Sequence, residues 1–387
     1  MDEIFCCLII LIYYLVKVLI EYWNKFSTDY IDNEIYKIED IQIRKIIPTT
    51  KHINLDLQIS NNHGISSVSL HALYIQNELP DAPVIILIHG TAGSCISFSK
   101  ILVECSKVAH IYALDLPGFG RSHFYDINHA IKSDNCFYPD IINEFMKQLN
   151  INQAHICGHS FGGYVAINFA GLYPDKVLQL TLINPAGIFP TLGKWGAYWA
   201  CFFKLGLTNI ISKIGRLGYI LADLFLSLEN RYLYYLLAHP YGYGEKIFLR
   251  PKITISHHGA FWNDPVFLPN RYNKIKCSVK LIYGADDTIM PAHQGEALKQ
   301  LYGCELVSIP NSGHNPMDEQ SKLVAQHIIT LPKYLNQINR NAIQNHKLIN
   351  FQPYKYGSSF SIKRTISIIQ RLYKDIGISG ISRNQIK

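Results

Sequence analysis

The residues best suited to chemistry are a serine, an aspartate and a histidine. Ser160 sits in Gly158-His159-Ser160-Phe161-Gly162, a G-x-S-x-G pattern. A serine hydroxyl is a poor nucleophile at neutral pH. It needs a base to take its proton, and the base needs a carboxylate to fix its tautomer. The base candidate is His314, in Asn311-Ser312-Gly313-His314-Asn315-Pro316, and the acid candidates are the neighbours Asp286 and Asp287. Each group follows an apolar run of strand character, and in an open α/β sheet the ligand crevice lies outside the carboxyl ends of the strands. Ser160, one of the aspartates and His314 are therefore expected to converge there.

Position gives the serine its meaning. Ala154-His155-Ile156-Cys157 is short and free of turn residues, while Gly163 to Leu172 puts Val165, Ala166, Phe169 and Ala170 on one helical face. Strand, sharp turn and helix form the setting of a nucleophile elbow, with the Ser160 hydroxyl expected to project into solvent. Side chains of neighbouring elbow residues point apart, so His159 reads as a turn residue and not as the base. A developing oxyanion needs two backbone N–H donors. These are expected from Phe161, which follows the nucleophile, and from Thr91, in the loop after His89-Gly90.

Around these residues the chain alternates strand and helix. Residues 35–75 read as two or three antiparallel strands. Apolar runs at 84–88, 111–114, 154–157 and 177–183 follow, with helix-length segments between them, and the rhythm resumes at 279–283 and 306–309. That alternation predicts an α/β fold, a mostly parallel sheet flanked by helices. The segment 188–276 interrupts it with 18 aromatics in 89 residues and reads as a helical cap packed on the main domain or lining an apolar pocket. The expected organisation is an N-terminal hydrophobic anchor (1–25), core (35–187), cap (188–276), core (277–332) and a basic tail (333–387).

Taken together, His89-Gly90, Asp115-Leu116-Pro117-Gly118-Phe119-Gly120-Arg121-Ser122, the elbow and Gly284-Ala285-Asp286-Asp287-Thr288-Ile289-Met290-Pro291 resemble the α/β-hydrolase-fold serine hydrolases over about residues 51–330. The resemblance implies an eight-stranded, mostly parallel sheet and acyl transfer to water, with the order Ser, Asp, His. It aligns the acid on Asp287, with Ile289 and Pro291 following. It disfavours epoxide hydrolases and dehalogenases of the same fold, which carry aspartate where this chain has Ser160. Some lipid-active members have His-x4-Asp, a pattern associated with acyltransferases. Here Asp318 comes one position too early and Glu319 occupies that site, which argues against acyl transfer to a lipid acceptor. A binding protein that keeps the fold without hydrolysis is the rival from another class. Asp115 is expected to bind loop backbone. Arg121 is either an anchor for an acidic substrate or a brace for its loop.

Composition narrows the partners. The net charge of +7 belongs to the tail, where ten Lys or Arg stand against one acidic residue from position 333 onward, leaving 26 against 28 before it. No stacked basic face calls for nucleic acid. His257 and His258 lack zinc spacing, and neither metal nor cofactor is expected. Nine scattered cysteines without C-x-x-C pairs suit a reducing compartment. Residues 4–20 form an apolar run broken only by Lys17, at the lower limit for spanning a bilayer. With no Lys or Arg before it and Lys17, Lys25 and Lys37 in and after it, a membrane anchor with a cytoplasmic catalytic domain is expected. The apolar run, the aromatic insertion and a basic amphipathic segment around Ile366, Ile369 and Leu372 together point to a small apolar or lipid ester as substrate.

Overall fold

The apolar β-branched runs of the sequence form one sheet. The computed structural model describes residues 17, 36–37, 40–41, 43–61, 64–91, 93–124, 137–186, 272–290 and 292–330. The chain divides into two units, residues 1–336 and 337–387, and every described residue lies in the first. Its strands are β1 Lys51–Asn61, β2 Gly64–Ile75, β3 Val84–Ile88, β4 His110–Leu114, β5 His123–Phe124, β6 Ala154–His159, β7 Val177–Ile183, β8 Ser278–Gly284 and β9 Glu305–Ile309. Their order is β1-β2-β4-β3-β6-β7-β8-β9, with the short β5 paired to β2. β1 and β2 form an antiparallel hairpin, β2 meets β4 antiparallel, and from β4 to β9 every neighbour is parallel.

Alternation along each strand feeds two cores. Ile86, Ile88, Leu114 and Ile156 face one side, where they meet Phe145 of α2 (Phe137–Gln148) and Val165 and Phe169 of α3 (Phe161–Leu172). Ile85, Leu87, Ile111 and Cys157 face the other, against Ile101 and Leu102 of α1 (Ser99–Ser106) and Val324 and Ile328 of α6 (Ser321–Ile329). Two further helices among the described residues are α4 (His293–Tyr302) and α5 (Pro316–Glu319). Parallel strands buried on both faces read as near-continuous apolar runs, which is why 84–88 and 154–157 announce themselves in the sequence.

Three expectations change. Residues 43–46 are helical where strand was expected. The spacing explains it: Ile43 and Ile47, four apart, are both buried, and Tyr36 and Asp40, also four apart, both reach Arg121. α3 is not amphipathic: every residue from Phe161 to Gly171 is buried, as befits a helix apolar all round. The membrane-anchored reading, with its cytoplasmic catalytic domain, is corrected too. Among the described residues no helix is long and apolar enough to cross a membrane, and residues 4–20, Lys17 apart, lie outside them. The insertion 188–276 up to residue 271, His257, His258 and the tail also lie outside the described residues.

Arg121 braces its own loop. Its guanidinium ion-pairs with Asp40, donates to the Tyr36 carbonyl at 3.1 Å and lies 4.6 Å from the Tyr36 ring centroid. Asp115, at the end of β4, accepts from the amides of Cys95 (2.6 Å) and Arg121 (2.8 Å) and from His71 Nδ1 (2.8 Å). Gly120, at φ 48°, is obligatory beside it, since a Cβ there would lie 2.2 Å from the carboxyl carbon. Burial alone would raise the Asp115 pKa, but the bond to His71 and the one from the Arg121 amide hold it well below the usual carboxylate range. A carboxyl with a depressed folded pKa stabilises the fold above the ordinary carboxylate range and loses that contribution as pH falls through the folded value. Asp115→Asn is expected to cost about 3 kcal/mol at pH 7. It should also flatten the dependence of melting temperature on pH below about pH 4, as read by circular dichroism.

Candidate functional site

Five successive loops gather at the carboxyl ends of the parallel strands. Register pairs Ile88 with Gly158, Gly158 with Leu182, Ile183 with Ile282 and Gly284 with Ile309, so the ends of β3, β6, β7, β8 and β9 lie in a row. The loops that follow carry Gly90, Ser160, Asn184, Asp287 and His314 in that spatial order.

Ser160 occupies a sparsely populated backbone region, φ 50° and ψ −116°. A serine there costs about 1–3 kcal/mol and persists only where its surroundings dictate it. Here its amide donates to Ile183 O at 2.9 Å, and its carbonyl accepts from Gly163 N and Ala186 N, both at 2.9 Å. The flanking glycines are needed for distinct contacts. A Cβ on Gly158 would lie 2.3 Å from the Gly162 carbonyl oxygen, and one on Gly162 would lie 2.1 Å from that of Ile88. Strand, turn and neighbouring strand approach at backbone distance. Ser160 is only 8% exposed, so its hydroxyl faces a recess and not open solvent.

His314 Nε2 lies 3.0 Å from Ser160 Oγ, and His314 Nδ1 lies 2.7 Å from Asp287 Oδ2. An ionised carboxylate only accepts, so Nδ1 carries the proton and Nε2 is left to accept from the serine. Asp287 Oδ1 accepts from the amides of Ile289 (2.7 Å) and Met290 (2.9 Å). Burial pushes its pKa up, yet the bond to His314 and these two amides outweigh that and hold it below the ordinary value. Asp286, the other candidate, is exposed, and its amide donates to Ser312 O at 2.9 Å.

Gly90 brings its loop onto the serine, since a Cβ there would lie 2.9 Å from both Ser160 Cβ and His159 Nδ1. His89 Nε2 accepts from Leu116 N at 3.0 Å, which leaves the proton on Nδ1 for the Gly90 carbonyl, 2.7 Å away. Gly93 N donates to the same carbonyl at 3.1 Å. In a trans peptide the N–H lies in the plane of the C=O and points the opposite way, so the Thr91 amide is directed away from the side on which His89 and Gly93 meet that carbonyl. Phe161 begins α3 directly after the serine.

Two contributors escaped the sequence. Asn184, at φ 41° after β7, donates through Nδ2 to Asp287 Oδ2 and accepts from Gly284 N at 3.3 Å. Its position, just past a strand that lies between the elbow and the acid, was the available signal. His159 was expected in the turn but is the last residue of β6, and its Nε2 donates to the His314 carbonyl at 2.7 Å. Glu319 accepts from Ser312 Oγ (2.9 Å) and Gly313 N (2.5 Å), fastening the loop that carries His314.

Among the described residues, His71, Cys95 and Asp115 place three ligand-type atoms within 4.8 Å of one another. The 2.8 Å between His71 Nδ1 and Asp115 Oδ2 is a hydrogen bond. Two such ligands on one tetrahedral zinc ion stand about 3.3 Å apart. The cluster bolts β2 to the segments that follow β3 and β4. The five described cysteines are free thiols.

A family model described as alpha/beta hydrolase fold matches residues 83–204. The chain is 26% identical to the uncharacterized hydrolase YugF of Bacillus subtilis, over 68% of this chain and 94% of that protein. It is 25% identical to a 1-acylglycerol-3-phosphate O-acyltransferase of Arabidopsis thaliana (76% and 77% covered) and 24% identical to monoacylglycerol lipase abhd6-B of Xenopus laevis (68% and 78%). For other relatives the share is smaller, 28% of the length of one abhydrolase domain-containing protein of Caenorhabditis elegans. The structure resembles that of carboxylesterase CesB (YbfK) from Bacillus subtilis, with a TM-score of 0.52, 18% identity and coverage of 77% of this chain and 96% of that one. The chain has the α/β hydrolase fold, as its sequence motifs implied. Asn184→Ala is expected to lower stability by about 2 kcal/mol, because it strips a donor from a buried carboxylate and an acceptor from a buried amide. Urea denaturation at pH 7 measures this.

Proposed function

We propose, from the α/β hydrolase fold as premise, that this chain is a serine hydrolase cleaving carboxylic esters with an apolar, lipid-like acyl group. The observation that carries the proposal is the unbroken series Ser160 Oγ, His314 Nε2, His314 Nδ1, Asp287 Oδ2, with contacts of 3.0 and 2.7 Å. Ser160 Oγ attacks the ester carbonyl carbon while His314 Nε2 takes its proton. The amides of Phe161 and Thr91 receive the oxyanion. Collapse of the tetrahedral species expels the alkoxide, which leaves with the proton from His314, and the acyl group stays on Ser160. Water then attacks, gives its proton to His314, and the acid departs as Ser160 regains its hydrogen. Asp287 stays ionised throughout and stabilises the imidazolium that forms twice per turnover. Each oxyanion donor is worth about 3 kcal/mol in the transition state.

The lipid-like acyl group is supported by the lipase named among the relatives and by the aromatic insertion 188–276, which falls between Ser160 and Asp287 in the sequence. The acyltransferase relative favours a second reading, in which the acyl group passes to a lipid hydroxyl and not to water. Glu319 stands five positions after His314, and its carboxylate is committed to Ser312 and Gly313. That engagement supports water as acceptor.

A fluorophosphonate probe should label the folded protein, and Ser160→Ala should abolish labelling. A folded, unlabelled wild-type protein would sink the proposal. With p-nitrophenyl esters of graded chain length, kcat/KM should rise from acetate toward octanoate. With a monoacylglycerol as acyl donor, released fatty acid should exceed any diacylglycerol formed. The reverse product ratio would favour the acyltransferase.

A further inference from the structure

We infer that His159, the residue before the serine, is a positioning residue that sets the reach of His314 toward Ser160 through the His314 backbone. This rests on the proposed hydrolase reading and deepens it. The His159 ring lies between the two loops that the chemistry must hold in register. On one side its Nε2 is 2.7 Å from the carbonyl oxygen of His314. On the other, a Cβ added to Gly90 would lie 2.9 Å from its Nδ1. The carbonyl only accepts, so Nε2–H is the donor and Nδ1 is bare. The ring is thus a spacer of fixed width between the Gly90 loop and the base.

The loop holding His314 is gripped elsewhere, by Asp286 N on the Ser312 carbonyl and by Glu319 on Ser312 Oγ and Gly313 N. Both grips stop short of His314 itself. The hydrogen bond from His159 reaches its peptide directly, one residue from the nucleophile that the ring must meet. An α carbon displaced there swings Nε2 away from Ser160 Oγ, and misplacements of about 1 Å cost about a hundredfold in rate.

A histidine suits this post better than a cationic donor. The two rings are 5.0 Å apart between centroids, and His314 becomes an imidazolium in each half-reaction. A permanent charge beside it would oppose that step. Burial first, then the neighbouring His314, pushes the His159 pKa down to about 3, while its bond to the His314 carbonyl and the Asp287 charge pull the other way. The ring therefore donates its hydrogen bond without carrying charge. The titratable groups facing it are His314, Asp287 and His89.

Gln carries its amide nitrogen about as far from the backbone as histidine carries Nε2, whereas Leu fills the space without a donor. With p-nitrophenyl butyrate, H159L is expected to lose about tenfold or more in kcat with KM within about twofold, and to shift the acid limb of the kcat/KM profile. Its rate constant for fluorophosphonate labelling should fall in parallel, and H159Q should stay within about threefold of wild type. If H159L does not fold, H159N takes its place, since its amide is too short to reach the carbonyl. Wild-type kcat and an unshifted profile in the donorless variant would overturn the inference, as would equal loss in H159Q. Should wild type label through Ser160 while H159L labels equally fast, this inference alone fails. Should wild type not label at all, the hydrolase reading fails and takes the inference with it.

Discussion

One strained residue sets the terms for the molecule. Ser160 sits at a backbone conformation that serine avoids, and it stays there because its amide and carbonyl are both committed, to Ile183 on one side and to Gly163 and Ala186 on the other. Those bonds require β6 and β7 to be adjacent and parallel. They also require α3 to begin at once and three stretches of backbone to pass at distances where only glycine fits. The two cores that hold the sheet between its helix layers serve, at this point, to make an unfavourable torsion the least costly arrangement available.

From that fixed point the site is assembled by strand order more than by sequence proximity. The loop with Gly90 and Thr91 comes from β3 on one flank, and Asn184, Asp287 and His314 come from β7, β8 and β9 on the other. Each parallel neighbour adds one group at the same sheet end. The groups are then locked by bonds that run across the strands: Asn184 to Asp287, Asp286 to the Ser312 carbonyl, and His159 to the His314 carbonyl. Further out, Asp115 and Arg121 tie the loop after β4 to the turn at Cys95 that leads into α1 and to the segment containing Tyr36 and Asp40. Precision at the serine is thus built outward in rings of hydrogen bonds to backbone.

Much of this was legible in the amino-acid sequence, for reasons particular to each element. Buried parallel strands such as 84–88 and 177–183 have to be apolar on both faces, so they stand out without alternation. The elbow glycines stand out because no other residue fits. Asp287 could be separated from Asp286 only through the spacing of Ile289 and Pro291, and the physical reason is now visible: Asp287 turns back onto the amides of Ile289 and Met290. Residues 43–46 misled because a single buried stripe, Ile43 with Ile47, is too short to distinguish helix from strand by period. Asn184 and the second bond of His159 were invisible because both act on partners more than 100 positions away, through atoms whose placement no local pattern encodes.

The Ala186 amide donates to the carbonyl of Ser160 at 2.9 Å. The segment that departs after β7 is therefore moored at its root to the peptide of Ser160. The strained torsion thus depends directly on the backbone at residue 186, with no side chain between them. Any change that lifts residue 186 removes one of the bonds that hold the turn on which the serine stands.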